Sequence, residues 1–219
     1  MARGSYEQLN GTWTANAACA SGKCLIVGMS GGLYWINTEN QEWGQFESSW
    51  DTVTMTGSPE GQVYTWERSN TVYHVDVETG AWRNVTGTYG NPVACTWFST
   101  GKPYVVEGNA LYNLNPETAA YGAFDGSWDV TQIVGHGDSI YLFDRGGALY
   151  RFVPKTNTWS QLDGSWPDTA AACSHEGRIY AINNGALYDI DPETGGWAMI
   201  DGSWTTTHLV SCQGKLYSF

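Results

Sequence analysis

The residue types in this chain best suited to chemistry gather at one recurring corner. Its copies are Gly11-Thr12-Trp13, Ser48-Ser49-Trp50, Gly87-Thr88-Tyr89, Asp125-Gly126-Ser127-Trp128, Asp163-Gly164-Ser165-Trp166 and Asp201-Gly202-Ser203-Trp204. An indole beside a hydroxyl and a carboxylate is what a sugar site requires, because a pyranose offers apolar C–H faces for stacking and hydroxyls for hydrogen bonds. Repetition would give several weak sites whose joint avidity on a glycan surface exceeds that of any one. The candidate ligand-binding residues are therefore Trp13, Trp50, Tyr89, Trp128, Trp166 and Trp204, with Asp125, Asp163 and Asp201 where the corner carries a carboxylate.

Other chemistry has little to work with. There is no His-Glu-x-x-His, phosphate loop, Gly-x-Ser-x-Gly elbow or paired Cys-x-x-Cys, so no catalytic residue, cofactor or metal is expected. His74, His136, His175 and His208 do not share one phase of the repeat and so need not converge. Cys19, Cys95, Cys173 and Cys212 recur at a small-residue position and read as reduced core thiols, although Cys19, Cys173 and Cys212 on one strand type are conceivable metal ligands. Cys19 and Cys24 are the one candidate disulfide, across a hairpin. With 10 Lys plus Arg against 22 Asp plus Glu, the net charge of −12 repels a phosphate backbone, so nucleic acid and anionic membrane are poor partners. No apolar run approaches the roughly 18 residues of a membrane span.

The corner aromatics follow one another at intervals of 37, 39, 39, 38 and 38 residues. A second series, Tyr6, Trp43, Trp82, Tyr121, Trp159 and Trp197, runs seven residues ahead of them, and a third, Tyr34, Tyr73, Tyr112, Tyr150 and Tyr188, nine residues ahead of the second. Each copy is one structural unit too short to bury its apolar face without neighbours. Within a copy, apolar runs such as Arg178 to Ile182 and Ala186 to Ile190 are punctuated by Asn183-Asn184-Gly185 and Asp191-Pro192-Glu193-Thr194-Gly195, which reads as antiparallel strands joined by tight turns. Small residues follow each corner, as on the crowded inner strand of a radial array, and the segment with the second series is polar and mixed, as on an outer strand.

The expectation is an all-β, six-bladed β-propeller of about 38-residue, four-stranded blades, forming a single domain over residues 1–219. Its last blade is completed by both termini: Leu216-Tyr217 matches Ile179-Tyr180, Tyr6 to Leu9 matches the outer strand, and about one strand is missing.

At the turn and the strand after it the chain resembles kelch-type propellers, through Gly146-Gly147 with Trp159 and through Ile190-Asp191-Pro192-Glu193-Thr194-Gly195-Gly196-Trp197. Only Gly31-Gly32 and Gly146-Gly147 keep the adjacent glycines, and the blade is shorter than a typical kelch blade. The Gly-x-Leu-Tyr strands with one Trp per blade are also similar to tectonin-type propellers, several of which bind glycans. The resemblance implies the fold across the whole chain and a non-enzymatic, multivalent carbohydrate-binding role with glycans as partners. The rival is a protein-interaction scaffold, with Trp66, Trp97 and Phe98 as its exposed patch and the aromatic series as core; an engineered or truncated repeat chain with no natural ligand is a further alternative. The outer-strand tryptophans are expected to pack blade against blade.

Overall fold

Turn chemistry sets the hairpins. In Glu176-Gly177, Asn184-Gly185 and Gln213-Gly214 both central residues take positive φ, between 46° and 80°. That is the two-residue turn whose twist matches the strands it joins, and a glycine at its second position removes the Cβ penalty.

In a computed structural model, which describes residues 8–9, 11–85, 90 and 92–219, these hairpins build five four-stranded antiparallel sheets. Blade one holds β1 (Ala17–Ser21), β2 (Cys24–Met29), β3 (Gly32–Asn37) and β4 (Trp43–Gln45). Blade two holds β5 (Thr52–Gly57), β6 (Gln62–Glu67), β7 (Val72–Asp76) and β8 (Trp82–Val85). Blade three holds β9 (Pro92–Phe98), β10 (Lys102–Glu107), β11 (Ala110–Leu114) and β12 (Tyr121–Ala123). Blade four holds β13 (Val130–His136), β14 (Ser139–Asp144), β15 (Leu149–Val153) and β16 (Thr158–Leu162). Blade five holds β17 (Thr169–His175), β18 (Arg178–Asn183), β19 (Ala186–Ile190) and β20 (Trp197–Asp201).

The sixth sector corrects the six-bladed expectation. It is a two-stranded sheet, β21 (Leu209–Cys212) with β22 (Lys215–Ser218). Of the segment Tyr6 to Leu9 expected to supply an outer strand there, residues 6 and 7 lie outside the described residues; Gln8 and Leu9 are not in a strand, and Leu9 packs against the buried cluster that holds Val210 and Cys212. The inner strands still close a ring, because β21 touches both β17 and β1.

Apolar side chains on facing sheets fill the spaces between neighbours. Ile26 and Leu33 meet Met55, Val63 and Val75 between blades one and two, and Val134, Tyr141 and Phe143 meet Ile179, Ala181 and Ile190 between blades four and five. Each such side chain contributes about 1.5–3 kcal/mol by leaving water. The small residues expected on the inner strands are there: Ala17, Ala18, Ala94, Ala171 and Ala172 help line an axial cavity of about 140 Å³. Among the described residues no helix is long and apolar enough to cross a membrane.

The candidate disulfide is absent, and all five thiols are free. Register explains it: Cys19 pairs with Ile26 and Cys24 with Ser21, so the two are not opposite each other. Burial pushes the Cys95 thiol up to about 12, and the Cys19 and Cys173 thiols are also raised by burial. No group of three or more His, Cys, Asp or Glu among the described residues is placed to hold a metal.

Candidate functional site: the aromatic rim

The corner is a structural device. Its glycine takes φ of +99° at Gly11, +118° at Gly126 and +109° at Gly164, and the following indole folds back over it. A Cβ on Gly126 would sit 2.7 Å from the Trp128 indole nitrogen. Ser48, standing where other copies carry glycine, holds φ 110°, a conformation L residues adopt only under strain. The indole's own amide then donates to the turn between the second and third strands of the blade just completed: Trp50 to Gly31 O at 2.9 Å, and Trp128, Trp166 and Trp204 to Asn109, Gly147 and Gly185 O at 2.8 Å each.

These contacts enclose the rings proposed as sugar platforms. Trp50, Trp128 and Trp166 are 3%, 5% and 2% exposed and offer no ring face to a ligand. Trp13 and Trp204 are half-buried, and Tyr89 lies outside the described residues. The three corner carboxylates are exposed, and two are bonded: Asp125 accepts from Asn157 Nδ2 at 2.9 Å and Asp201 Oδ1 from the Gly202 amide at 2.7 Å, while at Asp163 it is the backbone carbonyl that accepts, from the Trp166 indole at 3.4 Å.

The outer-strand tryptophans, expected as blade packing, are the exposed ones: Trp43 56%, Trp82 45%, Trp159 59% and Trp197 51%. Each is held edge-on by its corner indole and flanked by the tyrosine of the neighbouring strand, edge-on at Trp82, Trp159 and Trp197 and tilted at Trp43. In blade two, Trp50, Tyr73 and Trp82 have centroids 5.4 to 5.8 Å apart at interplanar angles of 77° to 88°. The same triad recurs as Trp13–Tyr34–Trp43, Trp128–Tyr150–Trp159 and Trp166–Tyr188–Trp197. Edge-to-face pairs contribute about 0.5–1.5 kcal/mol each beyond area burial, so an exposed indole is fixed in orientation before any ligand arrives.

One stretch of this rim is concave. Between blades one and two a groove of about 670 Å³ is lined by Trp35, Gln45, Glu47, Glu78, Thr79 and Trp82, with Phe46 also contributing. Trp35 pairs across the sheet with Gly44, and a Cβ there would lie 2.7 to 2.9 Å from the indole, so the glycine lets the ring lie on the strand. At the corresponding register the other blades carry His74, Asn113, Arg151 and Asp189. Sequence reasoning missed Trp35, and the signal was an aromatic at an otherwise polar phase.

Elsewhere polar groups serve the scaffold. Turn carboxylates cap their own turns: Asp191 Oδ1 accepts from the Glu193 and Thr194 amides at 2.9 and 3.0 Å, and Asp76 Oδ1 from the Thr79 amide and hydroxyl at 2.8 Å. Those donors hold both carboxyls below the usual range. The four histidines do not share one place in the blade, but two of them, His136 and His175, each end an inner strand. Their Nδ1 atoms pair with Ser174 Oγ at 2.7 Å and Ser211 Oγ at 3.0 Å on the next blade or half-blade, linking neighbours. The expected scaffold patch also dissolves, since Trp66 and Phe98 are buried and Trp97 is half-buried, stacked on Tyr64.

No protein-family profile matches the chain, and no curated protein matches its sequence. Solved structures do share its shape. A Bacteroides thetaiotaomicron protein of unknown function aligns with a TM-score of 0.73 at 13% identity, over 94% of this chain and 66% of its own. The extracellular domain of a putative hybrid two-component system from the same organism gives 0.65 at 14% identity, over 100% of this chain and 33% of its own. PorZ, a bacterial surface component of the type-IX secretion system of Porphyromonas gingivalis, gives 0.60 at 12%, over 97% of this chain and 36% of its own. The chain thus spans under two thirds of the first and about a third of the others. Likeness at such identities establishes the β-propeller fold alone; kelch-like or tectonin-like membership gains nothing from it.

Proposed function

We propose that this propeller is a non-enzymatic, multivalent carbohydrate-binding protein whose stacking platforms are the outer-strand indoles, with the groove between blades one and two as its principal site. The observation that carries this reading is the groove, which sets two indoles, Trp35 and Trp82, beside an amide, a hydroxyl and two carboxylates. Rings for C–H faces and polar groups for hydroxyls are the two components a pyranose needs. The neighbours of Trp159 are polar, Ser160 and Gln161, which suits a hydrated sugar better than the packed apolar centre of a protein interface. Trp43, Trp159 and Trp197 then add weaker contacts whose sum is avidity.

Binding to an immobilised glycan array tests the reading, with Trp35→Ala and Trp82→Ala run beside the parent chain. Selective binding lost in both variants, with circular dichroism unchanged, is expected. An array on which the parent chain stays silent overturns it.

The scaffold reading keeps one observation in its favour. Met199 and Ile200 are exposed beside Trp197, forming an apolar surface on blade five that has no use for a sugar.

A further inference from the structure

The turn that leads into an outer strand leans on the blade before it. Two residues ahead of the outer-strand aromatic, Gln41, Gly80, Ala119, Asn157 and Gly195 all hold positive φ, between 53° and 74°. Four residues after that aromatic, at the corner, stand Glu47, Asp125, Asp163 and Asp201. Where blade four meets blade three, the two positions join in a hydrogen bond, from Asn157 Nδ2 to Asp125 at 2.9 Å. Where blade five meets blade four, they close by contact, since a Cβ on Gly195 would lie 3.0 Å from Leu162 Cβ and 3.1 Å from the Asp163 amide nitrogen. Between blades one and two the same junction stands open. Among the described residues a Cβ on Gly80 would meet only Phe46 Cδ1, at 4.0 Å, and Gly80 has no side chain to offer Glu47. The space that results is the groove, which both residues line.

The groove's carboxylates also lack a cation. Elsewhere basic side chains take acidic partners, as Arg68 does Asp51 and Arg145 does Asp129, at 3.2 Å each. No basic side chain among the described residues pairs with Glu47 or Glu78. Arg83, next to Trp82, is drawn to blade three instead, donating to Pro116 O at 3.0 Å.

We propose that the groove selects sugars carrying a protonated amine: the ligand's ammonium takes at Glu47 the place that the Asn157 amide takes at Asp125, with Glu78 as the second negative charge and the sugar ring against Trp35 and Trp82. An ammonium gains from carboxylates through charge-assisted hydrogen bonds and from indole faces through cation–π attraction. A uronic acid would meet like charge there, on a chain of net charge −12. The inference rests on the sugar-binding reading of the groove and names the class of sugar.

Calorimetric titration of the full chain with the glucosamine tetrasaccharide and with its fully N-acetylated form tests it, because acetylation removes the charge and keeps the ring. The amine form is expected to bind about tenfold or more tighter, the scale of a charge-assisted hydrogen bond, and raised salt should narrow the gap. Glu47→Gln should abolish most of that preference and leave the N-acetylated form's affinity in place. Gly80→Asn, which supplies from this chain the donor that blade four has in Asn157 and suits a left-handed position, should weaken the amine form as well. Circular dichroism checks that both variants fold. Equal, Trp35-dependent affinity for the two forms, or a preference untouched by Glu47→Gln, overturns this inference and leaves the sugar reading standing. Silence with both forms and across the glycan array brings down the two together. A tetralysine peptide bound through Trp35 as tightly as the amine sugar would show that the groove reads charge without a ring, and overturns the inference too.

Discussion

Two sets of aromatics that each recur once per blade and meet edge to face in space have opposite fates. The corner indoles Trp50, Trp128 and Trp166 are enclosed, and their partners Trp82, Trp159 and Trp197 stand about half exposed. The difference comes from what each backbone does. At the corner, a residue at positive φ, Ser48, Gly126 or Gly164, turns the chain, and the tryptophan's backbone amide is captured by the preceding blade's turn. On the outer strand the sheet has no further neighbour, so the tryptophan at its start borders solvent although it is apolar. Position within the blade, rather than residue type, decides whether a tryptophan holds the fold together or meets a ligand.

The sharpest way to break this contrast is to truncate one member of a pair at a time. Trp166→Ala should cost about 3–5 kcal/mol, as large-to-small changes at enclosed aromatics do, whereas Trp197→Ala should cost roughly 1 kcal/mol, the scale of its edge contacts. Urea unfolding of both variants decides it; equal losses would dissolve the distinction.

The corner backbone offers the next largest effect. Gly126→Ala places a Cβ against the Trp128 ring and at φ +118°, so a loss of about 1–3 kcal/mol is expected. Ser48→Gly relieves a residue already at φ 110° and should raise stability by up to about 1 kcal/mol. Opposite shifts in melting temperature for the two substitutions are the expected outcome.

How much of this was legible in the sequence follows the same line. Period, strand count per blade and turn chemistry were readable because hairpins are local: Asn184-Gly185 and Asp191 to Gly195 announce their turns without reference to anything distant. Which aromatic is enclosed was not readable, because periodicity fixes a residue's phase in the blade but not what lies against it in space. The same limit hid Trp35, whose groove needs Trp82 from another blade, and the shared place of His136 and His175. Those two lie 39 residues apart while their corners Trp128 and Trp166 lie 38 apart, so equivalence counted from the corner fails by one residue. The sixth sector was misjudged for a related reason: matching Leu216-Tyr217 to Ile179-Tyr180 identified two strands correctly and then credited the sector with more.

The groove sharpens the contrast from the functional side. Trp35→His, which restores the kind of polar residue found at that register in blade two, should leave the unfolding midpoint within a few degrees and weaken glycan binding about tenfold or more, the scale of a lost aromatic anchor. An unchanged affinity measured by calorimetry would move the principal site elsewhere on the rim.

The smallest effect extends the contrast from rings to carboxylates. Glu67 is 4% exposed, and burial pushes its carboxyl above the usual range although Thr52 Oγ1 donates to it at 2.8 Å. Asp76, in a turn, is held below that range by the Thr79 amide first and by the Gln62 and Thr79 side chains after it. The signs are opposite. Between the ordinary value and the raised one the folded chain binds more protons at Glu67 than the unfolded chain does, so that group's contribution falls as pH rises through the window. At Asp76 the unfolded chain binds more protons between the lowered value and the ordinary one, so its contribution is present above the ordinary value and is lost as pH falls. Glu67→Gln should therefore raise the melting temperature near pH 7, with an advantage that shrinks as pH drops toward the ordinary carboxylate range. Asp76→Asn should lower it by well under about 1 kcal/mol in equivalent stability, since the group is near the surface, with a deficit that also shrinks on acidification. Melting curves of both variants against the parent across pH 3 to 8 test the pair, and two differences of the same sign at pH 7 would show that enclosure does not govern these carboxylates as it governs the rings.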